Sequence, residues 1–142
     1  MPTITQKISD LKKVGPVIEV TVTPSVNFLQ KTGVNLSDAK ATKLLAMIDT
    51  GASGTVISKG IADKLGINPV GTALVNTPSS ENVSCNQFDV QILLPENISF
   101  SSIVVIETPL QGQHIQCLIG RDILQKGILI YTGYENSFTL SF

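Results

Sequence analysis

The chain has 142 residues, 42% of them hydrophobic and 15% charged, and its formal net charge at pH 7 is -1. This length fits one domain over residues 1–142, with enough apolar surface to form a core. Ten Lys and Arg residues balance 11 Asp and Glu residues, which predicts no basic surface for nucleic acid or an anionic membrane. We therefore expect a single folded domain that binds neither nucleic acid nor membranes.

The N-terminal residues lack the pattern of a secretory signal, and no apolar run approaches the roughly 20 residues that span a bilayer. The chain has two cysteines, Cys85 and Cys117. A domain of this size does not need a disulfide to fold, so reduced thiols in a cytoplasmic compartment are the simpler interpretation.

The first half of the chain predicts two strands, a loop and one helix. Residues 17–23 are rich in β-branched side chains and end at Pro24, which is typical of a strand. Residues 27–40 are polar and predict a long surface loop, whereas residues 44–48 are continuously apolar and predict a strand buried on both faces. The only helix expected in this half begins with Ser58 as its cap, places Ile57, Ile61 and Leu65 on one face, and ends at Gly66.

The second half predicts strands with one further short helix. Residues 72–94 form a long hairpin that is interrupted at residues 77–82 by turn-forming residues. Further strands are expected at 98–106 and 115–119, then a helix over 120–125 that ends at Gly127, and a closing hairpin of Ile128–Thr132 and residues 137–142.

The tripeptide Asp49-Thr50-Gly51 directly follows the buried strand and precedes a second β-branched segment. A buried strand would hold the Asp49 carboxylate in a fixed direction, and Gly51 allows a sharp turn and a close approach of another backbone. The alternative is an ordinary β-turn, in which Asp and Gly are common for local reasons. A second motif, Leu118-Ile119-Gly120-Arg121-Asp122, predicts a buried strand that runs into a helix beneath this loop.

With both motifs in this order, residues 17–142 resemble the retropepsin-like aspartic peptidases. The resemblance implies an all-β chain with one or two short helices, folded as a small closed β-barrel that forms one lobe per chain. It implies Asp49 as the catalytic residue, and Thr50, Gly51, Gly120, Arg121 and Asp122 as supports of the active-site loop. Residues 1–16 would then be a flexible or dimer-contacting arm, and residues 138–142 the terminal strand of the dimer interface.

The resemblance also implies a flap over the active site at residues 77–84. The substrate-binding residues would be those of the loop and of the flap tip: Gly51, Ala52, Ser53, Pro78, Ser79, Ser80, Glu81 and Asn82. An exposed turn with no catalytic purpose is the alternative for this tip. Two departures from the viral pattern stand out, because the tip lacks glycine and because Ser53 replaces the Asp that pairs with the motif arginine. Ser53 is similar instead to the pepsin-like and the prokaryotic single-domain members, and Arg121 would turn to Asp122, a backbone carbonyl or a partner chain.

An aspartic peptidase needs two carboxylates that share a proton, and only Asp49 has the Asp-Thr-Gly setting. The expected enzyme is therefore a homodimeric endopeptidase that cleaves extended peptides with an Asp49/Asp49 dyad and no cofactor or metal. The alternatives are a catalytically silent dimerisation or peptide-binding module, and a monomeric β-barrel binder. Cys117 and His114 lack the neighbours that Cys/His catalysis or a zinc site requires, and a buried strand cysteine is the better interpretation.

Overall fold

The computed structural model describes residues 1–77, 80–110 and 114–142, and these contain ten strands and four short α-helices. In chain order they are β1 (Thr3–Lys7), α1 (Leu11–Val14), β2 (Val17–Pro24), α2 (Val26–Thr32), β3 (Thr42–Ile48), β4 (Val56–Ser58), α3 (Ile61–Leu65), β5 (Gly71–Thr77), β6 (Ser80–Leu94), β7 (Ile98–Thr108), β8 (Cys117–Ile119), α4 (Arg121–Leu124), β9 (Ile128–Thr132) and β10 (Ser137–Ser141). Single 3₁₀ turns occur at Leu36–Asp38 and Gly133–Glu135.

Most of the strands belong to one sheet that curls back on itself. Its order is β2-β3-β8-β4-β7-β6-β5, and β2 also pairs with β6, so that six strands close into a ring and β5 extends from it. The remaining strands form a separate sheet in the order β1-β10-β9. The predicted β-rich chain with short helices is therefore confirmed.

The core fills the ring because the strands alternate apolar and polar side chains. In β2, Ile18, Val20 and Val22 are buried while Glu19 is exposed. Apolar side chains from all parts of the chain join them in one cluster, which includes Ile4 of β1 and Phe138 of β10. The small sheet thus packs onto the same core as the ring.

The prediction of a long loop over residues 27–40 is wrong at its start, where α2 covers Val26–Thr32. Ser25 caps this helix by accepting a hydrogen bond of 3.1 Å from the N–H of Phe28, and Gly33 ends it in the left-handed conformation. Leu29 is buried, and half-buried Phe28 packs against the core. The polar residues of the segment favoured a loop, whereas the cap and these two apolar residues specify the helix. A second unpredicted helix is α1.

The predicted helix after the Asp49 loop is correct in its end but wrong in its start. Ser58 is the last residue of β4 and does not cap a helix, and Ile57 is a strand residue in the core. Gly60, with a φ of +92°, precedes α3, which ends at Gly66 as expected. Ile57 lies in a strand despite its helical spacing from Ile61, because β4 pairs with both β7 and β8.

The other predicted elements are present with shifted ends. Residues 44–48 of β3 are buried on one face and half-buried on the other, whereas burial on both faces was expected. α4 stops at Leu124 with Gln125 as its cap, before the expected Gly127. The first 16 residues include β1 and α1, and β1 pairs with β10 of the same chain along its whole length. Within the described ranges, no helix is long and apolar enough to cross a membrane.

The cap of α2 yields a prediction about stability. Replacing Ser25 by Ala removes the acceptor of the Phe28 N–H, so we expect the free energy of unfolding to fall by about 1 kcal/mol. Urea denaturation measures this change. Ser37→Ala is the control because Ser37 is exposed; an equal effect of the two substitutions would contradict the capping role.

Candidate active site

Asp49 lies immediately after β3, at the point where three strands meet. β8 is inserted between β3 and β4, the two strands that flank the Asp49 loop; it runs parallel to β3 and antiparallel to β4. The N–H of Asp49 donates to the carbonyl of Ile119 at 2.9 Å, which continues the β3–β8 pairing up to the loop. The backbone that carries the Asp49 carboxylate is therefore fixed by the sheet.

The loop itself turns back on the Asp49 side chain. The N–H of Gly51 donates to Oδ1 of Asp49 at 2.9 Å, and the N–H of Ala52 donates to the Asp49 carbonyl at 3.2 Å. A Cβ on residue 51 would lie 3.1 Å from that carboxylate oxygen, so glycine permits the contact. Asp49 is half-buried, while Thr50 is exposed.

Arg121 bonds to the loop through backbone carbonyls. Its guanidinium donates to the Thr50 carbonyl at 2.7 Å, and its backbone N–H donates to the Ala52 carbonyl at 2.9 Å. Three partners were expected for Arg121, namely Asp122, a backbone carbonyl or a partner chain. In this structure its partner is a backbone carbonyl. The loop is tied to the start of α4 although Ser53 supplies no carboxylate.

Asp122 joins the far side of the loop to the same helix. Its carboxylate accepts hydrogen bonds from the Thr55 hydroxyl at 2.7 Å, from the Thr55 N–H at 3.0 Å and from the Ile123 N–H at 2.9 Å. The Thr55 hydroxyl oxygen in turn accepts from the Gly120 N–H at 3.2 Å. Sequence reasoning treated Thr55 only as a β-branched strand residue; nothing local to it indicates that a side chain 67 positions away completes its hydrogen bonds.

Gly120 lets these two segments approach each other. A Cβ at this position would lie 2.5 Å from the carbonyl carbon and oxygen of Gly54 and 3.0 Å from the Ala52 oxygen. No side chain fits there without movement of the loop backbone. The predicted supports Gly120, Arg121 and Asp122 therefore all contact residues of the loop that begins at Asp49.

Cys117 lies on β8 beneath the loop and is fully buried. Burial raises the pKa of its thiol from 9.0 to about 12, and the negative charge of Asp122 adds to the effect. A neutral thiol at this depth is a core residue, as expected, rather than a nucleophile. His114, the nearest candidate base along the chain, is exposed.

A cleft of about 790 Å³ lies between the Asp49 loop and the β5–β6 hairpin. Asp49 lines it together with Gly51, Ala52 and Ser53, three of the predicted substrate-binding residues. Its other walls are largely apolar and were not predicted; they include Val56, Leu74, Val75, Ile106, Leu110 and Leu118. The signal that could have found Leu74 is an apolar residue on the solvent-facing side of a hairpin strand, where it is 70% exposed.

Of the other predicted substrate-binding residues, the structure describes Ser80, Glu81 and Asn82, which belong to β6. Glu81 and Asn82 are exposed near the start of β6, and Asn82 has a φ of +53°. The N–H of Asn82 donates to the side-chain oxygen of Asn76 at 3.0 Å, across the hairpin. Ser80 is the first residue of β6, while Pro78 and Ser79 lie outside the described residues.

The carboxylate of Asp122 yields a prediction about the loop. In Asp122→Asn one acceptor oxygen becomes an N–H₂ group that faces an N–H or hydroxyl of Thr55 or the Ile123 N–H, so at least one bond is lost. We expect the free energy of unfolding to fall by about 2 kcal/mol, measured by urea denaturation. Asp63→Asn, in the first turn of α3 and exposed, is the matched control, and an unchanged stability of Asp122→Asn would contradict the assigned contacts.

Comparison with known structures identifies the fold. A retropepsin-like aspartic protease from Rickettsia conorii superimposes with a TM-score of 0.51 at 18% identity, over 87% of this chain and 90% of that chain. The retroviral protease-like domain of Ddi1 from Leishmania major gives a TM-score of 0.49 at 13% identity, over 89% of both chains. The simian foamy virus protease gives 0.48 at 15% identity, over 77% of this chain and 91% of that chain.

Comparison at the level of sequence identifies the family. None of the curated protein sequences matches the chain. A family model described as aspartyl protease matches residues 33–123, a range that contains both the Asp49 loop and the Leu118–Asp122 motif. The predicted retropepsin-like resemblance is confirmed, and the chain belongs to the aspartyl protease family.

Proposed function

We propose that this chain is an aspartic endopeptidase that acts as a homodimer on extended polypeptides. The observation that carries the proposal is the position of Asp49, whose carboxylate lines a cleft of about 790 Å³ while its backbone is held by β8. This volume lies within the range of ordinary ligand sites. The walls combine a carboxylate with apolar side chains, as the site of a peptide-cleaving enzyme requires.

The second carboxylate has to come from another copy of the chain. The sequence has six Asp residues. Among the described residues that line the cleft, Asp49 is the only aspartate. Asp122 is bonded to Thr55 on the loop's other side, and Asp89 accepts a hydrogen bond from Ser102. A twofold axis beside the Asp49 loop would place two equivalent carboxylates together.

In such a dyad the two Asp49 carboxylates share one proton, because two like charges at close range are costly to maintain. The ionised Asp49 takes a proton from water, which attacks the peptide carbonyl carbon, and the protonated Asp49 donates a hydrogen bond to the carbonyl oxygen. The Asp49 that took the proton from water then donates it to the amide nitrogen as the C–N bond breaks, so that this carboxylate acts first as base and then as acid. The Gly51 N–H bond to Oδ1 would fix the orientation of each carboxylate, and Thr50, exposed beside it, would brace the paired loops.

The substrate would lie extended between the loop and the hairpin. β5 ends the order of the large sheet, and its second edge has no partner among the described strands. A peptide could pair with such an edge through its backbone while its side chains enter the apolar walls. Gly51, Ala52 and Ser53 would contact it from below, and the tip residues Pro78 to Asn82 remain the predicted contacts from above.

A reducing, cytoplasmic compartment remains our proposal for the location of the enzyme. Both Cys85 and Cys117 are free and buried, so the fold does not use them as a disulfide.

Loss of the Asp49 carboxylate tests the catalytic role. We expect Asp49→Asn to lower kcat on a peptide library by at least about 10²-fold at mildly acidic pH, because the general base is lost, while the dimer seen by sedimentation remains. Asp38→Asn, on an exposed 3₁₀ turn, should leave kcat unchanged. Equal turnover by the Asp49→Asn variant and the wild type would overturn the catalytic role. A wild-type dimer that binds a statine-like transition-state mimic and cleaves nothing would instead be the silent module.

The apolar wall of the cleft predicts a preference for apolar side chains next to the cleaved bond. Replacing Leu74 by Ser removes an exposed apolar surface, so we expect kcat/KM for apolar substrates to fall about 10-fold with little change in stability. Val104→Ser, an exposed position on β7 away from the cleft lining, is the matched control. A fall in kcat/KM that is equal for the two variants would contradict the role of Leu74.

A further inference from the structure

We propose that Asn76 determines specificity by donating a hydrogen bond to the side-chain amide oxygen of a Gln or Asn residue in the bound peptide. Asn76 lies near the end of β5 and lines the same cleft as Asp49. The inference rests on the proposed function, because it names the side chain that the peptidase would select at one position of its substrate.

A β-bulge in the β5–β6 hairpin gives Asn76 its position. The two strands pair in register up to Val75 and Val83, after which the register shifts. Asn76 on β5 therefore lies opposite two residues of β6, Glu81 and Asn82, and Asn82 has a φ of +53°. The extra residue of a bulge is left unpaired by the ladder of backbone hydrogen bonds.

The side chain of Asn76 takes the place of the ladder at this bulge. The N–H of Asn82 donates to Oδ1 of Asn76 at 3.0 Å, so the amide oxygen of Asn76 is directed at the bulge. An Asn side chain carries its carbonyl oxygen and its NH₂ group on two branches of one planar amide. Because the oxygen bonds to Asn82, Nδ2 is the branch of Asn76 that meets a ligand in the cleft, and it acts only as a donor.

This donor lies on a wall that is otherwise apolar. The described residues of β5 that line the cleft are Leu74, Val75 and Asn76. Asn76 is exposed, so water reaches its side chain until a peptide covers it. A covered N–H group without an acceptor is costly. An apolar side chain opposite Asn76 leaves Nδ2 without an acceptor, whereas an amide oxygen accepts from it.

The partner of Asn76 is a side chain because β5 can satisfy the peptide backbone with its own main chain. β5 ends the order of the large sheet, and its outer edge has no partner among the described strands. A peptide that adds to this edge exchanges N–H and C=O hydrogen bonds with the main chain of β5. Its side chains then project alternately to the two faces of the sheet, which brings one of them to Asn76.

Charge excludes a carboxylate as this partner. Asp49 is the only charged residue among the described residues that line the cleft. A Glu or Asp side chain opposite Asn76 would lose contact with water, gain no cation and stand near the negative charge of Asp49. A Lys side chain has no acceptor for Nδ2. The neutral amides of Gln and Asn offer an oxygen without these costs.

Cleavage of matched peptides by the full chain tests the preference. In a peptide that the wild type cleaves, each position near the cleaved bond is changed in turn to Gln, Met, Glu and Lys. We expect one position at which Gln raises kcat/KM about 10-fold over Met, which has nearly the same length, and about 10-fold over Glu. Cleavage without a preference for Gln at any position would overturn the inference and leave the peptidase intact.

Substitution of Asn76 tests whether this side chain causes the preference. Asn76→Asp retains an oxygen for the Asn82 N–H but replaces the donor by a carboxylate oxygen, so the preferred residue at that position should change from Gln to Lys by about 10-fold in kcat/KM. Thr72→Asp, at an exposed position of β5 outside the described lining of the cleft, is the matched control and should retain the preference for Gln. A preference for Gln that survives unchanged in Asn76→Asp would overturn the role of Asn76.

Binding without cleavage separates this inference from the proposed function. Fluorescence anisotropy of labelled peptides on the full-length Asp49→Asn chain should give a Kd about 10-fold lower for the Gln peptide than for the Met peptide. Equal Kd values would overturn the role of Asn76 even if the wild type is an active peptidase. A wild type that cleaves no peptide, together with the lower Kd for the Gln peptide, would support the role of Asn76 and overturn the peptidase.

Discussion

The hydrogen bonds of the Asp122 carboxylate are the interaction on which the site depends. They connect α4 to Thr55, at the end of the Asp49 loop, and the Thr55 hydroxyl extends the network to Gly120. Arg121 holds the other end of the loop through two carbonyls. Together with β8, which lies between β3 and β4, these contacts fix residues 50–55 at both ends. Such contacts hold the Asp49 carboxylate in a defined position.

This arrangement explains why the missing acidic partner at Ser53 has little structural consequence. An Arg–carboxylate pair would add a charged contact at the loop surface, where ion pairs contribute little to stability. Here Arg121 satisfies its guanidinium with the carbonyl of Thr50, a backbone group that no substitution of side chains removes. The Asp122 network is partly buried and contributes a carboxylate that accepts three bonds, so it replaces the surface pair as the main connection.

Exposed apolar side chains occur in two places, at the cleft and on the small sheet. Leu74 of β5 is exposed on a wall of the cleft, whereas Ile128 and Ile130 of β9 are exposed on the small sheet, apart from the described lining of that cleft. Solvent contact costs free energy in both places. Under the proposed function, a bound peptide would cover Leu74 and lower the first of these costs.

The sequence by itself determined the β-rich fold, the Asp49 loop and its supports, because these depend on local patterns: apolar alternation, a buried run before Asp49, and a Gly-Arg-Asp start of a helix. Ser25 and Leu29 also indicate α2 locally, but this pattern is short and lies within a polar segment. Only the tertiary structure decided that Ile57 belongs to a strand, since β7 and β8 supply its partners from far along the chain. It also decided which residues line the cleft and that β9, rather than β10, ends the small sheet. Strand order and most of the cleft walls depend on contacts between distant segments, which local patterns in the chain do not encode.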